Sequence, residues 1–458
     1  MRDNSSKRIL LCFAAVLVAG APALAQVGPD VMVADLHNTA YWGRIGDLHS
    51  YSVGTVSCNI GDVDLRWEAN NEWHPVIGQN LYRLKDGRIE QLGLSWLKHG
   101  FITINSGICG VCPPGGTGNH LSPGCSDPYG AGLNGSRSRL GPRYEVNAST
   151  GVYPYPYDNS APVPNLLTRR IIVDHEDVNP AQNAGALYFV EGQYVAQDDA
   201  AAGNSANNQS YRRVTVSNNF NIPMRGATHQ FDPAIQAWYD HGNGVNTPDT
   251  GVSVVSVDVP DDGRFWVGGK ATDNGDGTWH YEYAIQNLTS HRSGGSFTVQ
   301  VPLGANVSGV GFHDVNYHSG EPWLPDDWNM SIGATDITWT SPETHAQNPN
   351  SNALRWGTLY NFWFDVDAPP IVVEVDLGLF RPGTPNSVSI RTIGPNPESE
   401  CQSCDMNCDG LIDATDIEPF IDLLFNGGVP CNECTGDVNG DGVIDAGDIE
   451  PFIGCLFP

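Results

Sequence analysis

Two stretches near the C-terminus carry the most explicit chemistry in the chain. Residues 405–416 read Asp405-Met-Asn407-Cys-Asp409-Gly410-Leu411-Ile412-Asp413-Ala-Thr-Asp416, and residues 437–448 read Asp437-Val-Asn439-Gly-Asp441-Gly442-Val443-Ile444-Asp445-Ala-Gly-Asp448. Calcium is a hard cation that takes six to eight oxygens, and a twelve-residue loop supplies them from positions 1, 3, 5, 7, 9 and 12, with glycine at 6 for the sharp turn. Both stretches meet that pattern. Asp405, Asn407, Asp409, Asp413 and Asp416 offer side-chain oxygens, and Leu411 offers its carbonyl. Asp437, Asn439, Asp441, Asp445 and Asp448 do the same in the second loop, with Val443 giving the carbonyl. Two calcium ions are expected. The competing reading is a pair of solvated acidic turns, since Asp-Gly and Asn-Gly are ordinary turn dipeptides. Agreement at every ligand position in two copies argues for calcium, and each copy continues into the same Ile-Glu-Pro-Phe-Ile, at 417–421 and 449–453.

Duplicated loops of this form, each followed by a short helix, resemble the type I dockerin, an EF-hand-like module. The resemblance covers residues 401–458. It implies a small α domain and docking onto a cohesin-like or cell-surface protein, while Ile412 and Ile444, at position 8 of the two loops, are expected to point inward and pack against each other. It also implies an alternative for the whole chain, because dockerins often carry an extracellular polysaccharide-degrading O-glycosyl hydrolase. Pro419 and Pro451 early in the helices, and cysteines framing both repeats, are particular to this sequence.

The formal charge is -29. Residues 401–458 hold nine Asp, three Glu and no Lys or Arg, so the tail carries -12 of it. That density repels itself unless cations bind, and the overall charge argues against a nucleic-acid partner.

Residues 1–25 read as a secretory signal: Arg2, Lys7 and Arg8 precede the apolar run Ile9 to Val18, and Ala23-Leu24-Ala25 offers small residues for cleavage near Ala25. A retained anchor is the alternative, but the run falls short of the roughly 20 residues that span a bilayer, so a secreted or cell-surface protein with no transmembrane anchor is expected. Beyond Cys12, the cysteines form a set of four (58, 109, 112, 125) and a set of six (401, 404, 408, 431, 434, 455). Both sets are even, which suits disulfides in an oxidising compartment, with pairing left open. Cys401-x-x-Cys404 and Cys431-x-x-Cys434 also have zinc-ligand spacing.

The body positions whatever else the protein does, and it reads as mainly β. Val252 to Val259, Arg264 to Val267, Trp279 to Ile285, Ser296 to Val301, Val307 to Phe312, Leu359 to Val366 and Ile371 to Leu377 are strand-like runs bounded by turns. They predict an Ig-like β-sandwich over 250–393, followed by a polar linker at 394–400. Residues 26–249 are β-rich and loop-rich, with strand-like pieces at Arg170 to Val173 and Arg213 to Val216. A hairpin is expected to turn at Asp86-Gly87, and Cys109 to Pro142 reads as a disulfide-pinned loop. One large domain or two remains open at this level.

Within the body, candidate chemistry is sparse. His313-Asp314 and His318, in a loop running on through Glu321, Trp323 and Trp328, combine imidazole with carboxylate, but a spacing of five suits neither a helix nor a strand face. Asp174-His175-Glu176-Asp177 and Asp198-Asp199 are the carboxylate clusters that a glycosidase reading would bring across one cleft. Gly130-Ala-Gly132-Leu-Asn-Gly135 matches G-x-G-x-x-G, yet no strand or helix pattern flanks it, so a turn-rich loop is expected. Tyr153-Pro-Tyr155-Pro-Tyr157 is the expected exposed aromatic strip. No catalytic residue set emerges; a non-catalytic body is the leading expectation, and a glycoside hydrolase acting on polysaccharide the alternative.

Overall fold

The computed structural model describes residues 26–114, 116–160, 165–316, 320–397, 404–407, 411–428 and 436–457. Residues 1–25, where a secretory signal is expected, and the cysteines at 401, 408, 431 and 434 lie outside the described residues, as do Asp409, Gly410 and His318. The chain is mainly β, built from several antiparallel sheets.

A long hairpin opens the body, Val31–Ile45 against Leu48–Asn59, and the second strand also pairs with Ile171–Asp174 and Ser126–Tyr129. Its face of Val31, Val33, Leu36, Tyr51 and Val53 packs on Ile77, Leu81, Tyr188, Val190 and Tyr194 of a second sheet. That sheet is centred on Val76–Lys85 and Leu187–Val195. The hairpin at Asp86-Gly87 forms as expected. Both turn residues take positive φ, 51° and 82°, as a two-residue hairpin turn needs, and Arg88–Leu94 returns along Val76–Lys85.

Leu48–Asn59 was not legible as a strand because its polar residues are buried by hydrogen bonding rather than exposed. The Ser52 hydroxyl donates to the Ala131 carbonyl (2.7 Å), Ser57 to the Asp127 carbonyl (3.2 Å), and Thr55 pairs with the Tyr194 hydroxyl (2.9 Å).

Residues 252–395 form two five-stranded sheets, in the orders Val252–Asp258, Arg264–Asp273, Trp279–Asn287, Thr358–Val366, Ser308–His313 and Asn329–Ile332, Asp336–Thr340, Gly294–Gln300, Pro370–Leu379, Ser387–Pro395. Phe265, Tyr281, Tyr283, Phe362 and Phe364 from the first sheet meet Phe297, Trp339, Val375, Leu377 and Ile390 from the second in one core. All seven expected strands are present, and three more join them. The last strand carries through Gly394 and Pro395, which pair with Ile371 and Pro370. Those two residues therefore belong to the sheet rather than to the linker, as the sequence reading had them.

The two halves share a third core, in which Tyr82, Ile89, Phe189, Tyr211, Ile235 and Trp238 pack on Val252, Ala284 and Leu359. Polar pairing crosses the same surface. Gln91 donates to the Gly357 carbonyl and accepts from the Leu359 amide, and Gln286 donates to buried Glu191 (2.8 Å). Strand Trp279–Asn287 is consequently buried on both faces.

Disulfides join Cys58 to Cys109 and Cys112 to Cys125, pinning the loop that follows Cys109, and Cys404 to Cys455 in the tail. The last bond consumes the Cys404 thiol, so the zinc alternative for Cys401-x-x-Cys404 fails. No helix among the described residues is long and apolar enough to cross a membrane.

Candidate functional site

Over the described residues the two acidic loops close in the same way. Asp416 is fully buried; its Oδ1 accepts from the amides of Met406 (2.7 Å) and Asn407 (3.1 Å), and its Oδ2 from that of Asp413 (2.8 Å). Asp448, equally buried, accepts from Val438 (2.8 Å), Asn439 (3.0 Å) and Asp445 (2.9 Å). Each closing aspartate completes a capping box with the aspartate three residues earlier, at the 3-10 turns Ala414–Asp416 and Ala446–Asp448. The helices Ile417–Asn426 and Ile449–Leu456 follow directly.

In the second loop the Asp441 amide is shared by Asp437 Oδ1 (3.0 Å) and Asn439 Oδ1 (2.9 Å), while Asp437 Oδ2 accepts from Gly442 (2.7 Å) and Asp441 Oδ1 from Val443 (2.9 Å). Gly442 has φ of 86°, the left-handed turn its position demands. Among the described residues no three Asp, Glu, His or Cys side chains group as a metal site; the carboxylates of Asp413, Asp416, Asp437, Asp441, Asp445 and Asp448 accept from backbone amides instead. The donor chemistry nonetheless suits a hard cation, since all the loop side chains named as ligands are carboxylates or carboxamides.

The two repeats meet through Phe420 and Phe452, whose rings stack 4.0 Å apart over Cys404 and Met406. Ile412 and Ile444 are each half-buried, and Ile412 packs at the edge of that core. The aromatic pair, not noticed in the sequence, makes the seam that those two isoleucines were expected to make. Its signal was present: phenylalanine stands at the fourth residue of both Ile-Glu-Pro-Phe-Ile repeats.

In the body, the sequence candidates separate. Asp174 pairs with Leu48 at the turn end of the first hairpin, whereas Asp199 Oδ1 accepts from the Val31 amide (2.9 Å), opposite Asn59. Eleven residue steps of strand, from Leu48 to Asn59, separate those ends, roughly 35 Å at the usual rise. The two carboxylate clusters therefore cannot flank one glycosidic bond, which needs carboxyls under about 10 Å apart. Asp177 is instead clamped with Glu90 on Arg83, at 3.0 and 2.7 Å. Asp199 is enclosed with Asn208, and burial pushes its carboxyl up to about 8.

His313 ends a strand and faces Glu90, Asp177, Arg88 and Arg83; burial lowers its pKa. Asp314 is raised to about 7 by burial and accepts from Asn352. Glu321, likewise raised to about 7, accepts from the amides of Arg143 (2.8 Å) and Tyr144 (3.1 Å), tying the two halves together. Trp323 and Trp328 are buried.

Two readings of the N-terminal half need correction. Gly130–Gly135 is flanked by a short strand, Ser126–Tyr129, and holds a single helical turn, Ala131–Asn134. Of the expected aromatic strip only Tyr155 is exposed; Tyr153 is buried, with its hydroxyl on the His74 carbonyl (2.6 Å), and half-buried Tyr157 stacks on His99. The prolines break the strand pattern, and the Tyr153 and Tyr157 rings are drawn in by the buried His74–His99 pair.

No family model matches the chain, and no curated protein matches it. Among solved structures it is similar to a serine-rich repeat adhesion glycoprotein from Streptococcus agalactiae, at 11% identity and a TM-score of 0.20, over 79% of this chain and 97% of that one. It is similar also to an exo-chitosanase from Amycolatopsis orientalis, at 9% identity and a TM-score of 0.15, over 74% of this chain and 25% of that one. The B domain of a biofilm associated protein is matched at 10% identity and a TM-score of 0.15, over 94% and 99%. Scores this low establish no shared fold, and no function follows from them.

Proposed function

We propose that residues 401–458 bind two calcium ions and, so loaded, dock the β-rich body onto a cohesin-like or cell-surface protein outside the cell. Asp405, Asn407, Asp409, Leu411, Asp413 and Asp416 would hold one ion, and Asp437, Asn439, Asp441, Val443, Asp445 and Asp448 the other. The ions would neutralise charge that otherwise repels itself across a small module.

The observation that carries the docking half is an uncovered apolar stripe. Ile417, Ile421 and Phe425 recur every four residues on one helix and are 38, 48 and 74% exposed. Phe457 and Ile453 extend the exposed apolar surface on the second helix and just beyond it, at 78 and 51%. A stripe at helical spacing that faces solvent is surface for a partner.

Calorimetric titration of the full chain with calcium, against Asp405→Ala and Asp437→Ala, tests the first half. Two bound ions in the parent and one in each variant are expected; no binding would refute it. Retention of a partner from the producing cell's secreted fraction, lost on chelation and lost with Phe425→Asp, tests the second. A partner retained equally by all three preparations would refute docking through this helix.

A further inference from the structure

A cleft of about 640 Å³ opens on the N-terminal half, lined by Trp42, Ser136, Arg137, Ser138, Asn159, Arg169 and Arg170 among others. Three guanidinium groups converge there in a chain whose net charge is -29. Arg170 sits over the Trp42 ring, its Cζ 3.5 Å from the ring centre, and is held by the carbonyls of Gly135 (Nε, 2.9 Å) and Leu166 (Nη1, 2.6 Å), which leaves its Nη2 without a partner among the described residues. Trp42 is itself fixed by its indole N–H on the Ser52 hydroxyl (2.8 Å). Arg169 donates to the carbonyls of Arg137 (3.1 Å) and Asn159.

Arg137 makes no ion pair or side-chain hydrogen bond among the described residues, and its Nη1 is buried. Its charge pushes the pKa of both Arg169 and Arg170 down, adding to the effect of burial. One carboxylate, Asp158, faces Arg169 and offsets part of this charge while also accepting from the Tyr144 hydroxyl and from Ser160, so three guanidinium groups share a single carboxylate among the described residues. Like charges gathered at a partly desolvated cleft are costly to hold without an anion, and guanidinium forks match planar oxyanions.

Cleft size decides between an inorganic ion and something larger. Organic ligands occupy cavities of about 300–1,000 Å³, far more than a lone sulfate fills. The remaining lining is hydroxyl and carboxamide, from Ser136, Ser138 and Asn159, which suits a hydroxylated molecule. We propose that this cleft binds an acidic sugar, a hydroxylated ring bearing a carboxylate or sulfate ester, with Arg137 and Arg170 receiving the oxyanion and the Ser136, Ser138 and Asn159 side chains the hydroxyls. The site is independent of calcium in the tail.

Gly132 offers a test that spares the fold. It sits on the cleft, its backbone is not in the left-handed region, and a Cβ added there meets nothing within 4 Å. Gly132→Glu therefore sets a carboxylate beside the arginines. Calorimetry on the full chain would use digalacturonate, a sulfated disaccharide, cellobiose and inorganic sulfate.

Saturable binding of at least one acidic disaccharide, tighter than inorganic sulfate and absent for cellobiose, is expected; which of the two binds tighter assigns carboxylate or sulfate ester. Arg137→Ala should weaken it about tenfold or more, the usual scale for losing a charged hydrogen-bonding partner, and Gly132→Glu should abolish it. The inference is overturned if neither acidic disaccharide binds, if cellobiose binds as well, if inorganic sulfate binds as tightly, or if both variants bind like the parent.

Discussion

Replacing Asp448 by alanine removes one buried carboxylate and strands three amides, those of Val438, Asn439 and Asp445. A hydrogen bond to a charged acceptor contributes about 1.5 kcal/mol or more, so three would sum to about 4.5 kcal/mol if none were replaced. Asn439 and Asp445 are exposed residues, and water can satisfy their amides; Val438 is half-buried. The expected loss is therefore about 2–3 kcal/mol, or roughly 30- to 150-fold in a local opening equilibrium. Asp437→Ala is the control, since Asp437 serves the exposed residues Asp441 and Gly442 and its loss should cost about 1 kcal/mol. Hydrogen exchange of the 437–457 peptides in the full chain, with chelator present, reads both numbers. Equal protection in parent and Asp448→Ala, or equal losses in the two variants, would refute the assignment of the closing aspartate as the loop's anchor.

Lys98 is fully buried over the rings of Phe101 and Tyr129, with no hydrogen-bond partner among the described residues, and burial followed by the nearby Arg139 lowers its pKa to about 7. Its folded pKa lies below the unfolded value, so stability rises with pH from about 7 to about 10.4 and is flat below 7. Lys98→Met should thus raise stability at pH 7 by a few kcal/mol, on the order of 3, and flatten that rise; an unchanged denaturation midpoint at pH 7 would contradict it. His49, His74 and His241, each lowered to about 4 chiefly by burial, are neutral when folded and bind protons first when unfolded. Stability should accordingly be complete above pH 6.5 and fall between 6.5 and 4, and a flat melting temperature across that window would exclude the account. Glu191 is buried and accepts from Asn80, Tyr82, Ala234 and Gln286, the last from the other half of the body. Glu191→Ala should cost about 3–5 kcal/mol and split thermal unfolding into two calorimetric transitions; a single unshifted transition would count against Glu191 as a link between halves.

The tail repeat and the strands of the C-terminal sandwich were readable from residue order because their signals are local. Glycine at loop position 6, the Asp-Gly and Asn-Gly turns, and apolar residues at period two act over a dozen residues at most. Strand Ser387–Pro395 escaped notice for a related reason: its alternation, with Val388, Ile390 and Thr392 buried, ends in the Gly-Pro of an apparent linker. What the tertiary structure alone decided is long-range. The other face of Trp279–Asn287 is buried because the N-terminal half covers it, and Leu48–Asn59 is central because Ser52, Thr55 and Ser57 find partners roughly 70 to 140 residues away. The arginine cleft belongs to the same class. Trp42, Arg137 and Arg170 are distant in sequence and carry no motif; they meet only where the first hairpin, a helical turn and the start of strand Ile171–Asp174 converge. Charge is visible in a sequence as a sum, but its sign at a given cleft is set by which side chains the fold brings together.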